Sequence, residues 1–138
     1  MGEHLRKVRL DRGLSQKEAA RAIGVSHKTY EYWETSRTRA AAVRHWPAIL
    51  AFLGYDPRPA ADTFGARVRA AREAEGLSER ELARQLGLDP ATVGAWERDA
   101  VRRPFPRIRA IFERYMEQQE DRGLLPPGHV PGPGVLER

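Results

Sequence analysis

Apolar residues recur along this chain at the spacing of an α-helix, and the pattern is written twice. Leu5 and Val8 share one face of a first segment with Arg9, and that segment is ended by Gly13. Ser15 opens a second segment, where Glu18 three residues on completes a capping box: each side chain takes up the other's backbone N–H. Ala19, Ala20 and Ile23 form the inner stripe of this segment, and Gly24 ends it. Ser26 caps a third helix, and a fourth is predicted from near Pro47, carrying Trp46, Ile49, Leu50 and Leu53. No convincing strand alternation occurs, so the pattern predicts an all-α chain.

A shift of 63 residues lays one half on the other. "SQKEAARAIGVSHKTYEYWE" at 15–34 meets "SERELARQLGLDPATVGAWE" at 78–97. Gly2 falls on Gly65, Arg9 on Arg72, Ala20 on Ala83, Gly24 on Gly87, Trp33 on Trp96 and Glu34 on Glu97. Ser78 and Glu81 repeat the capping box. Asp89 takes the place of the third helix's cap, with Pro90 at the first helical position, where a missing N–H costs nothing. Phe105, Ile108, Phe112 and Tyr115 make a stripe comparable to that of the fourth helix. The expected organisation is a domain at 1–55, a Pro/Gly-rich linker at 56–63, a second domain at 64–121 and a tail at 122–138. Residues 123–138 hold four Pro and four Gly, which predicts a disordered end.

Composition removes several classes of function. The 138 residues include no cysteine, so disulfides and thiolate-bound metals are excluded. His4, His27, His45 and His129 show no ligand spacing, and no metal or other cofactor is expected. No apolar run reaches the ~18 residues of a membrane span, and "MGEHLRKVRL" lacks the apolar core of a signal peptide. A soluble cytoplasmic protein with no membrane contact is the expectation. The net charge of +5 sits in one place: residues 1–60 hold 11 Lys/Arg against 6 Asp/Glu, and residues 61–122 hold 12 of each. Charge of this kind becomes informative only beside a motif that could use it.

That motif is two helices joined through a short glycine turn, with a small residue where they cross, which describes a helix-turn-helix. "LRKVRLDRGLSQKEAARAIGVSHKTYEYWE" and "VRAAREAEGLSERELARQLGLDPATVGAWE" both resemble Cro/XRE-type, lambda-repressor-like helix-turn-helix domains. "RHWPAILAFLGYDP" is similar to the fourth helix and exit of tandem proteins of that family. The likeness covers about residues 2–119 and departs from the family pattern at "ETSRTRAAAVR", which lacks the proline usual in that loop. It implies two tandem domains of four to five helices each and a nucleoid-associated regulator of transcription, a repressor of bacterial or phage-like type. It also implies that the third helix enters the major groove of double-stranded DNA.

Carried onto these residues, the resemblance puts Ser26, His27, Lys28, Thr29 and Tyr32 toward base edges. Lys28 would suit guanine O6 or N7, and the methyl of Thr29 a thymine. Gln16 and Lys17, at the start of the second helix, would meet phosphate, and Arg37, Arg39 and Arg44 would grip the backbone. The resemblance makes Arg9–Glu34 and Arg72–Glu97 structural ion pairs. Each polar residue named could equally be a solvated face, and Trp33, Trp46 and Trp96 read as core.

The second copy keeps the frame and loses the donors. Pro90, Ala91 and Ala95 stand where the first has His27, Lys28 and Tyr32, and Glu79 replaces Gln16. Thr92, Arg98, Arg102 and Arg103 are its remaining candidates for DNA contact. A degenerate reader or a dimerisation unit is expected there, so a homodimer enters as a partner. An antitoxin or other interaction module, binding a protein partner and regulating its own operon, is the alternative. Its exposed apolar groups would be Leu124, Leu125, Val130 and Val135. No phosphate-cradling loop or Ser/His/Asp arrangement rises above scattered residues, so no catalytic residue and no enzyme activity is expected.

Overall fold

The computed structural model describes residues 1–35, 41–101 and 105–121. Among them the chain forms eight α-helices and no strand. They are α1 (Gly2–Asp11), α2 (Gln16–Ile23), α3 (His27–Thr35), α4 (Trp46–Leu53), α5 (Phe64–Ala74), α6 (Glu79–Leu86), α7 (Pro90–Glu97) and α8 (Pro106–Asp121). A turn of 3₁₀ helix at Val43–His45 leads into α4. The expected disorder of the tail at 122–138 concerns residues outside those described.

Local chemistry explains why the helices begin and end where they do. Ser15 Oγ accepts the Glu18 N–H at 3.0 Å, and Glu18 Oε1 accepts the Ser15 N–H at 2.9 Å. Ser78 and Glu81 repeat the exchange at 3.1 and 2.8 Å. Gly24 and Gly87 close α2 and α6 at φ 92° and 72°, left-handed conformations that cost a side-chain-bearing residue ~1–2 kcal/mol. The two units also share a close approach of backbones. A Cβ on Gly2 would strike the carbonyl oxygens of Trp33 and Glu34, and one on Gly65 those of Trp96 and Glu97. The N-terminus of the first helix in each unit thus rests directly on the C-terminus of the third.

Two cores result. Leu5, Ala20, Tyr30, Trp33, Ile49 and Leu53 anchor the first; Val68, Leu82, Val93, Trp96, Phe112 and Tyr115 anchor the second. The stripe expected from Phe105 to Tyr115 is only partly inward. Phe112 and Tyr115 are buried and Ile108 is half-buried, but Phe105 precedes α8 and is 62 % exposed. It stands one residue before the helix that would have turned it inward. Gln119 is buried on α8, with neither polar side-chain atom hydrogen-bonded.

The segment between α4 and α5 is fastened to the protein. Arg58 donates to both Asp56 carboxylate oxygens (2.8 and 2.7 Å), to Glu73 Oε1 (3.1 Å) and to the Ala70 carbonyl (3.2 Å). Its guanidinium also lies 5.4 Å from the centre of the Trp46 ring. Ala74 of α5 is part of the first core, and Gly76 approaches Pro47 of α4.

Candidate nucleic-acid interface

The third helix of the first unit is held by an ion pair at its inner end. Arg9 Nε donates to Glu34 Oε2 at 2.7 Å and Arg9 Nη2 to Glu34 Oε1 at 3.1 Å, while Nη1 reaches the Leu14 carbonyl at 3.1 Å. A planar fork of donors on a carboxylate fixes orientation as well as distance. Gln16 joins the pair through Nε2, which donates to Glu34 Oε1 at 3.2 Å. This uses one of its two amide protons and leaves the other unassigned. The buried Tyr30 hydroxyl donates to the Leu5 carbonyl at 3.4 Å, and burial pushes its pKa upward.

On this base, α3 turns its N-terminal residues outward. His27 and Lys28 are exposed, Thr29 is half-buried and Tyr32 is 49 % exposed. Ser26 is spent on the helix: its hydroxyl accepts the Thr29 N–H at 3.1 Å and donates to Thr29 Oγ1 at 2.9 Å. Its single proton is therefore engaged, while the Thr29 hydroxyl keeps its own. Lys17 and Arg44 are exposed and Gln16 is half-buried. Arg37 and Arg39 lie outside the described residues, as do all of residues 36–40 within the "ETSRTRAAAVR" stretch.

The second unit reproduces the support. Arg72 Nε and Nη2 donate to Glu97 at 2.6 and 2.9 Å, and Nη1 to the Leu77 carbonyl at 2.8 Å. Asp89 caps α7 by accepting the Ala91 N–H at 2.8 Å. Its outward surface differs: Pro90 and Ala91 are exposed, and Thr92 and Ala95 half-buried. Arg98 is exposed, whereas Arg102 and Arg103 lie outside the described residues.

The change from Gln16 to Glu79 inverts the local electrostatics. Burial alone would raise the Glu34 carboxyl, but hydrogen bonds from Arg9, Tyr30 and Gln16 carry it below the ordinary carboxylate value. Burial raises Glu97 too, and it is the largest influence there; Arg72 pulls the carboxyl down, but the like charge of Glu79 adds to burial, and the carboxyl ends above its ordinary value. A sequence reading that set Glu79 only against phosphate misses this, because the meeting with Glu97 depends on how α6 and α7 pack.

A pH dependence of opposite sign in the two units follows. Folded Glu97 binds its proton more tightly than unfolded Glu97, so its contribution is present below the ordinary carboxylate value and fades as pH rises through the elevated one. Glu34 does the reverse, and its contribution is lost as pH falls through its lowered value. Glu79→Gln should stabilise the second unit at neutral pH by on the order of 1 kcal/mol, reduced by the ~0.3–1 kcal/mol that a carboxylate gains at a helix N-terminus. It should also flatten the pH dependence. Urea unfolding followed at the Trp96 indole resonance, at neutral and mildly acidic pH, measures both; an unchanged slope would remove Glu79 as the cause.

A family described as the helix-turn-helix domain matches the chain twice, at residues 1–62 and 63–125. The chain belongs to this family and is a tandem helix-turn-helix DNA-binding protein of Cro/XRE type. No curated protein and no solved structure matches it. Among the described residues no helix is long and apolar enough to cross a membrane, and no three His, Cys, Asp or Glu side chains group as a metal site.

Proposed function

We propose that the protein is a sequence-specific transcriptional repressor that reads double-stranded DNA chiefly through α3. The observation that carries this reading is the contrast between two equivalent helices on equivalent supports. α3 exposes His27, Lys28 and Tyr32, while α7 offers Pro90, Ala91 and Ala95 at the same positions. Lys28 donates to guanine, His27 to a neighbouring acceptor, and the Thr29 methyl meets a thymine. Gln16 bridges Glu34 and a phosphate through its second amide proton. Lys17, Arg37, Arg39 and Arg44 neutralise the flanking backbone, and the second unit contributes weakly, through Thr92, Arg98, Arg102 and Arg103. The repressor works on the nucleoid, in the cytoplasm.

Four cations on phosphate imply a slope of log K against log salt of about −3.6, at about −0.9 per contact. The full chain should select one preferred half-site from a random duplex pool and bind it with a slope in this range. A flat salt response, or recovery of unrelated sequences only, would sink the proposal.

A further inference from the structure

Where α3 carries donors, α7 borders an apolar groove. Ala91, Ala95 and Trp96 form one wall, and Val101, Phe105 and Ile108 the other, around a volume of about 690 Å³. It is open to solvent at the N-terminal end of α8, and Phe105 is the most exposed of its large apolar side chains. Arg107 stands at its rim.

The charges of α8 run against the helix's own dipole. Arg107 and Arg109 lie at the positive N-terminal end, and Glu117, Glu120 and Asp121 at the negative C-terminal end. A helix placed for its own stability carries the opposite order. Among the described residues, Arg107, Glu117, Glu120 and Asp121 have no ion-pair partner, while Arg109 pairs with Glu113 at 3.7 Å and lies over the Phe64 ring, 4.1 Å from its centre. An antiparallel copy of the same helix would set each basic end beside an acidic one.

From these features we infer that the groove of the second unit receives a second copy of this chain, whose α8 lies antiparallel and whose Leu124 and Leu125 fill the groove. Chain length selects this occupant. The 16 residues of α8 span about 24 Å at ~1.5 Å per residue, and the groove is at the start of that span. Leu124 follows Asp121 by three residues, which reach at most ~11 Å. These leucines therefore cannot return to their own groove. They do reach that of an antiparallel neighbour, whose α8 begins where this one ends. The contact is two-fold and self-complementary, and each copy gives and receives the same segment. It buries the face of α7 that in the first unit is turned to DNA, and it leaves both copies of α3 free.

Sedimentation equilibrium of the full chain without DNA tests this, separately from DNA reading. The wild type should dimerise reversibly, and Leu124→Asp with Leu125→Asp should weaken the association at least tenfold with unchanged circular dichroism. Two charge-reversed variants test the direction of the helices. Arg107→Glu with Arg109→Glu, and Glu117→Arg with Glu120→Arg, should each be monomeric alone and dimerise when mixed one to one. A wild-type monomer at every concentration overturns the inference. So does a dimer indifferent to the leucine changes. If the protein is monomeric and the amide resonances of Ala95 and Val101 move on deletion of 126–138, the groove belongs to the chain's own end; if they move on adding a duplex, it belongs to DNA. Either result replaces the second copy. A dimer that binds no duplex would leave this contact standing and remove only the proposed function.

Discussion

Arg72→Ala is expected to destabilise the second unit by about 3–5 kcal/mol at neutral pH, because it leaves the Glu97 carboxylate buried and unpaired. The two side chains are only 9 % and 4 % exposed, so water cannot replace the lost donors. The loss should shrink as pH falls, since Glu97 is already held above the ordinary carboxylate value and can take up a proton when its partner is gone. Replacing both members, Arg72→Met with Glu97→Leu, should cost much less, because no charge is then stranded. Urea denaturation of the three proteins, read at Trp96, gives the comparison. If Arg72→Ala costs under about 1 kcal/mol at neutral pH, burial is not what makes this pair matter.

Lys28→Ala with Thr29→Ala is expected to cost about 1–3 kcal/mol of preference at each base these residues read, while binding to unrelated duplexes falls little. Lys28 is exposed at the tip of α3, so its loss removes a donor without disturbing the core. Thr29 needs more care, because its Oγ1 accepts from Ser26. The cap from Ser26 to the Thr29 backbone N–H survives the change to alanine, which separates loss of reading from loss of the helix. Competition titrations on the selected half-site and a scrambled one, at fixed salt, decide the matter: equal losses on both would mean that the two residues hold phosphate and read no base.

What could be read in the sequence was local or repeated. Capping boxes need only residues three apart, and Gly24 and Gly87 announce their turns because few other residues tolerate the geometry. Pairing Arg9 with Glu34 across 25 residues was reachable only through the family resemblance, and the structure shows that contact in both units. Harder to see was anything set by how helices pack. The hydrogen bond from Gln16 to Glu34, and the crowding of Glu79 against Glu97, join different helices through side chains that composition treats as solvated. Phe105 carries the same apolar signal as Phe112, yet only the latter is inside. Periodicity gives the spacing of a stripe and is silent about where the helix beneath it starts.

The residues between α4 and α5 read in sequence as a Pro/Gly-rich linker, and Arg58 fastens them. Four hydrogen-bond acceptors and an aromatic ring converge on one guanidinium. The ring is Trp46 of α4, and the Ala70 carbonyl and the Glu73 carboxylate belong to α5. One side chain thus reaches the last helix of the first unit and the first helix of the second, so a change at Arg58 would be felt on both sides of the joint at once.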